Sequence, residues 1–125
     1  SAQFAFRYAL REPAGQIQAY LASHFAQPLT LDGLADHFFM NKAHLCSTFR
    51  ENCGVTIMTF LKTIRMRMAA RLLLETGDSV QDVAAKVGYP DSAYFSRVFK
   101  STYKISPEAY RKKRPSAGNC NSTHV

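Results

Sequence analysis

The sequence has no tryptophan, three cysteines in 125 residues, and nine acidic side chains against sixteen basic ones. Each shortage excludes something. An odd number of cysteines, with Cys46 and Cys53 seven apart and Cys120 in a polar stretch near the end, writes no disulfide framework. No Cys-x-x-Cys and no Cys/His spacing suited to zinc occurs, so no metal is expected. Reduced thiols fit a cytoplasmic protein. No apolar run approaches the ~18 residues of a membrane span and no signal-peptide pattern opens the chain, so no membrane partner is expected. There are no paired carboxylates, no Ser/His/Asp set and no glycine-rich phosphate loop. His24 reads as core-edge, His37 and His44 as surface. The expectation is therefore no catalytic residue, no cofactor and no enzyme. The first residue is Ser, not Met, which reads as a piece of a longer protein.

What is present is a foldable, basic chain. Apolar residues make up 46% and charged residues 20%, which is the wrong balance for disorder. The length suits one compact domain, or two small ones sharing a helix. The net charge is +7, and a basic surface of that size favours a polyanionic partner, nucleic acid ahead of an anionic membrane.

The apolar spacing is helical throughout. Ile17, Tyr20, Leu21, His24 and Phe25 recur at i, i+3, i+4, i+7 and i+8 and predict a helix over 16–26, stopped by Pro28. Residues 1–13 read as an upstream approach ending at Pro13. Thr30 is placed to cap a second helix with Leu31, Leu34, Ala35 and Phe38 inward. Asn41 caps a third with Leu45 and Phe49 inward, ending at Gly54. A long helix is predicted over 57–76 between Thr56 and Gly77. Ser79, with Asp82 at N3, opens a helix that breaks at Gly88. Asp91 caps the next, with Phe95 and Phe99 inward, and Ser106–Pro107 starts a short last one. No strand pattern competes. The fold class predicted is all-α, about seven helices.

The chain also repeats itself. Thr30, Leu31, Leu34 and Ala35 match Ser79, Val80, Val83 and Ala84 at an offset of 49; Leu45, Phe49 and Arg50 match Phe95, Phe99 and Lys100 at 50. Val55, Thr56, Ile57 and Phe60 match Ile105, Ser106, Pro107 and Tyr110. Each copy reads cap, short helix, tight break, helix, which is the helix-turn-helix pattern. Two helices this short cannot bury themselves, so each pair needs a third: 16–26 in the first copy, 107–113 in the second. The predicted organisation is an upstream connection (1–14), a first helix-turn-helix subdomain (15–55), a linker helix (56–77), a second subdomain (78–114) and a disordered tail (115–125). A linker of about 20 residues spans about 30 Å, close to the 34–36 Å between successive major-groove exposures on one face of DNA. The small mismatch would favour bending.

The stretch from Ser79 to Arg111, SVQDVAAKVGYPDSAYFSRVFKSTYKISPEAYR, resembles the second helix-turn-helix of the AraC/XylS family of bacterial transcription regulators. Ala84, Gly88, Tyr89, Phe95, Arg97, Phe99, Lys100, Pro107, Tyr110 and Arg111 carry the likeness, and IRMRMAARLLLETG resembles the family's linker helix. The resemblance covers about residues 15–113. It implies sequence-specific binding of double-stranded DNA, work with RNA polymerase, activation as the commoner mode, and a separate sensing or dimerisation domain that is missing from this chain. Two departures stand out. Lys104 occupies a place where the family often has Gly, at a cost of about 1–2 kcal/mol for an αL residue, so the second repeat is expected to end its reading helix differently. Phe39 occupies the place matched by Gly88, so the first turn must be made without Gly.

Outward facing and the resemblance together give candidate site residues. Base contacts fall to Ala43, Cys46 and Ser47 in the first unit and to Ser92, Ala93, Ser96 and Arg97 in the second. Arg97 leads, because a guanidinium can hold guanine O6 and N7 together; Ala43 and Ala93 suit thymine methyls or close approach. Phosphate contacts fall to the helix starts at Thr30 and Ser79 and to Lys42, Arg50, Arg65, Lys100, Lys104 and Arg111. Arg67 and Arg71 read equally well as structural. Charge is uneven. Residues 29–53 set Lys42 and Arg50 against Asp32, Asp36 and Glu51, a net of −1; residues 97–114 set seven basic residues against Glu108, a net of +6. Two other readings compete with a sequence-specific regulator: a non-specific architectural DNA binder, and a DNA-binding appendage of a DNA-repair enzyme. The latter would need clustered cysteines on zinc.

Overall fold

The computed structural model describes residues 12–113, which contain seven α-helices and no strand. They are α1 (Pro13–His24), α2 (Leu31–His37), α3 (Lys42–Cys53), α4 (Ile57–Glu75), α5 (Val80–Lys86), α6 (Ser92–Tyr103) and α7 (Pro107–Lys112). The first eleven residues of the expected upstream connection and the whole expected tail lie outside the described residues. One boundary differs from expectation. Pro13 does not end an upstream segment; it sits in the first turn of α1, and Ala14 is already buried. A proline at that position loses no hydrogen bond, since the first N–H groups of a helix have no intrahelical partner.

The helix starts follow from their caps. The Thr30 and Ser79 hydroxyls accept the N–H of Gly33 and Asp82, the Asn41 carboxamide accepts that of His44, and the Asp91 carboxylate accepts those of Ala93 and Tyr94. Ser106 and Thr56 do the same for Ala109 and Thr59. Each cap satisfies a backbone donor that the helix itself leaves unpaired.

The chain divides into two compact units, Ser1–Arg65 and Met66–Val125, so that the dividing point falls inside α4. The expected linker helix is thus shared. In the first unit Ile57 and Leu61 of α4 close a core of Ile17 and Leu21 from α1, Leu34 and Ala35 from α2, and Leu45 and Phe49 from α3. In the second unit the buried residues are Met66, Ala69, Ala70 and Leu73 of α4, Val83 and Ala84 of α5, Val87 and Tyr89 in the turn that follows, Phe95 and Phe99 of α6, and Pro107 of α7. Each unit thus supplies its helix pair with a leading and a closing helix. The repeat extends to side-chain geometry. Phe49 and Phe60 meet edge to face at 5.4 Å and 73°; their counterparts Phe99 and Tyr110 meet at 5.3 Å and 77°.

Candidate nucleic-acid interface

In each unit a tight turn sets the angle between the two helices of the pair. The Met40 N–H donates to Ala35 O and the Tyr89 N–H to Ala84 O, at 2.9 and 2.8 Å. The residue before each has positive φ: Phe39 at 58° and Gly88 at 100°. The first turn is therefore made without Gly, as the sequence required, and with the same hydrogen bond. Pro90 is the extra residue that moves the offset from 49 to 50. The second departure resolves against expectation. Lys104 stands at φ 71° and its N–H donates to Lys100 O; Gly54 stands at 79° and donates to Arg50 O. Helices α3 and α6 are both twelve residues long and end in the same way. The αL cost alone predicts a different end; the hydrogen bond to the fourth residue back holds Lys104 in place against that cost.

The inward faces are as expected, with Leu45, Phe49, Phe95 and Phe99 wholly buried. Of the base-contact candidates, Ala43, Ser47, Ala93 and Arg97 are exposed, while Cys46, Ser92 and Ser96 are half-buried on the flanks. Directly opposite the buried stripe stand Ser47 in α3 and Arg97 in α6, which are counterparts in the repeat. The two units thus present different chemistry at the same place.

Tyr94 is a functional candidate that the sequence reading passed over. It is 49% exposed, its ring lies 5.9 Å from that of buried Tyr89, and the Arg97 guanidinium carbon sits 5.7 Å from its centroid. That is a cation–π distance. At about 100° per residue Tyr94 lies nearer the outward direction than Ser92 or Ser96, so facing alone could have found it. Met58, 46% exposed at the start of α4, had no such signal. It borders a groove of about 570 Å³ on the outer side of α3, whose other walls include Ala43, Cys46, Ser47, Arg50, Leu31 and Ile57.

The basic candidates separate by what they already touch. Arg65 donates from Nε to Phe25 O at 2.7 Å and from Nη2 to Gln27 O at 2.9 Å. Arg111 donates to Leu73 O at 3.0 Å and Thr76 O at 3.4 Å. In each unit the closing helix thus sends an arginine to the carbonyls at the end of the leading helix, where a cation also meets the negative end of the helix dipole. These two guanidiniums are structural clasps, a role that the assignment to phosphate did not foresee. Lys42 lies 3.5 Å from Asp32, both exposed. Arg71 pairs with Glu75 at 3.2 Å, both exposed. Arg50, Lys100 and Lys104 are exposed, with no ion pair among the described residues. Thr30 and Ser79 spend their hydroxyls on capping, and Asp32 and Asp82 already place carboxylates in those first turns.

Lys86 donates to the Asp78 carboxylate, and that hydrogen bond holds Asp78 below the usual carboxylate range and Lys86 above the usual lysine range. Burial pushes the Tyr103 phenol up; its hydroxyl donates to Met66 O at 3.3 Å. Among the described residues no group of three or more His, Cys, Asp or Glu could hold a metal ion, and no helix is long and apolar enough to cross a membrane.

A helix-turn-helix domain family matches residues 34–113. Over 99 residues the chain is 32% identical to the transcriptional activator RhaS of Enterobacter sp. strain 638, an alignment covering 79% of this chain and 36% of that protein. The C-terminal domain of AraT, a response regulator from Geobacillus stearothermophilus, has the same fold with a TM-score of 0.82 at 30% identity, over 93% of this chain and 98% of that one. The DNA-binding domain of AdpA, solved in complex with a target DNA, aligns with a TM-score of 0.77 at 26% identity, over 82% and 92% of the two chains. The chain spans about a third of the length, or less, of the curated relatives it matches. The doubled helix pair, the shared α4 and these likenesses agree: the chain belongs to the AraC/XylS-type helix-turn-helix family.

Proposed function

We propose that this chain is the DNA-binding region of a bacterial transcription regulator and reads double-stranded DNA with α3 and α6, each in its own segment of the major groove. The observation that carries the reading is the duplicated scaffold. Two capped twelve-residue helices, held by matching turns and αL ends, present outward stripes of small and basic residues. AdpA's domain of the same fold was captured on a target DNA, which supports the same class of ligand here. Two reading stripes that differ, Ser47 against Arg97, favour sequence-specific binding over a purely architectural role.

In this reading Ala43, Ser47, Ala93 and Arg97 face the bases, with Cys46, Ser92 and Ser96 reaching them from the flanks and Tyr94 beside Arg97. Arg50, Lys100 and Lys104 supply free charge to phosphates, with Lys42, Thr30 and Ser79 secondary. The whole protein is a cytoplasmic activator working with RNA polymerase, its activity governed by a sensing or dimerisation domain outside this sequence. RhaS, named an activator, supports that direction of control. The chain itself performs no catalysis.

The test is selection of bound duplexes from random DNA, followed by footprinting. Enrichment of one motif with two protected segments is the expected result. Binding without enrichment would leave an architectural binder. Methyl transfer from alkylated DNA to a cysteine would instead favour the repair-enzyme appendage.

A further inference from the structure

We infer that the first unit reads thymine, through its 5-methyl group, by means of an apolar groove beside α3 that Met58 completes. The inference rests on the proposed DNA-binding function and names what the α3 face selects. The outward stripe of α3 carries Ala43 and Ser47, with half-buried Cys46 on its flank and Arg50 at its end. None of Ala43, Ser47 and Cys46 offers the two parallel donors that hold a guanine, or the amide pair that holds an adenine. Across from them Leu31, Ile57 and Met58 complete a groove of about 570 Å³ in which Arg50 is the charged wall. Met58 is nearly half exposed on α4, outside the reading helix.

The occupant of such a groove must be apolar at its tip and anionic at its flank. In the major groove the thymine methyl is the one apolar projection on a base edge, and it lies beside a phosphate that can meet Arg50. The second unit offers the contrast. Arg97 stands in the repeat position of Ser47, with its guanidinium beside Tyr94, and suits guanine. The two units therefore divide the work by chemistry: methyl contact in the first, paired hydrogen bonds in the second.

The experiment takes the duplex obtained by selection and replaces each thymine in turn with deoxyuridine, which removes only the methyl. At one or more positions protected by the first unit, affinity should fall about fourfold per methyl, the change expected for one buried methyl group. The same replacement under the second unit should have a smaller effect. Met58→Ala should bring the thymine-to-uracil ratio at the first unit toward one, with the helical circular dichroism spectrum unchanged. Arg97→Ala should weaken binding but leave that ratio alone. Ser47→Arg should move the preference at one base pair from thymine toward guanine. Specific binding with no thymine–uracil difference under the first unit overturns the inference and leaves the DNA-binding function intact. A ratio unmoved by Met58→Ala, or a groove that captures a protein instead of DNA, overturns it as well. Failure of selection to enrich any sequence removes both the inference and the function it rests on.

Discussion

The two clasp arginines and Lys100 carry the same charge, yet should behave oppositely when removed. Arg65 makes hydrogen bonds of 2.7 and 2.9 Å to the carbonyls of Phe25 and Gln27. A hydrogen bond with a charged partner contributes about 1.5–3 kcal/mol. Half-exposure reduces the sum, so Arg65→Gln should destabilise by about 2 kcal/mol. For a domain of this size that lowers the melting temperature by about 8–16 °C. Arg111 makes bonds of 3.0 and 3.4 Å, the second near the limit of a useful bond, so Arg111→Gln should cost about 1–1.5 kcal/mol. Lys100 is exposed and free of ion pairs among the described residues; Lys100→Gln should change stability by no more than about 0.5 kcal/mol.

Salt dependence of DNA binding should show the reverse order. Each phosphate neutralised by the protein adds about 0.9 to the slope of log affinity against log salt. Lys100→Gln should flatten that slope by about one unit, Arg65→Gln and Arg111→Gln by much less. Arg65→Lys separates charge from geometry: it keeps the cation but loses the fork that spans two carbonyls. It should therefore lose most of the stability that Arg65→Gln loses. Thermal unfolding followed by circular dichroism, with binding titrations from low to moderate salt, measures both quantities. A full unit of slope lost in Arg65→Gln, with an unchanged melting temperature, would refute the clasp and restore the arginine to the phosphates.

Further outcomes follow from the same geometry. Gly54 has φ 79° and open space around an added Cβ, so Gly54→Ala isolates backbone strain of about 1–2 kcal/mol less about 0.4–1 kcal/mol of unfolded-state entropy; denaturant unfolding should show a net loss of about 1 kcal/mol, and Lys104→Gly a gain of similar size. Arg97→Ala should cost about 1–3 kcal/mol and relax preference at one base pair, whereas uniform weakening across sequences in a competition assay would make it a phosphate contact. Neutralising Lys100 and Lys104 together should weaken binding to random DNA more than neutralising Lys42 and Arg50, because Lys42 is already paired with Asp32; equal losses would sink the asymmetry. Asp78 ionises in the folded chain below its ordinary value of 3.8, chiefly through the hydrogen bond from Lys86. Its contribution is therefore present above that value and is lost as pH falls through the lowered one; Asp78→Asn should flatten the acid limb of a stability–pH curve, and an unchanged limb would show that the exposed pair contributes nothing.

Local chemistry made the helices legible. Thr30, Asn41, Ser79, Asp91 and Ser106 each act within three residues of their own position, so the sequence alone exposes them. The buried stripes are also periodic and local. Pro13 misled because proline both ends helices and begins them, and the difference lies in whether the following residues find a core, as Ala14 and Ile17 do. Lys104 misled because its αL cost can be tabulated from the residue type, whereas the support around it cannot. Arg65 and Arg111 were beyond reach for a different reason. Their partners lie 35 to 40 residues away in the chain, and periodicity says nothing about where a long side chain lands. On a basic DNA-binding surface every arginine looks like a phosphate ligand until the carbonyls that claim it are known. Charge counted along the sequence therefore overstates the charge available to DNA. Arg50, Lys100 and Lys104, which make no ion pair among the described residues, together with Arg97 beside Tyr94, are the better measure of the charge that α3 and α6 can offer.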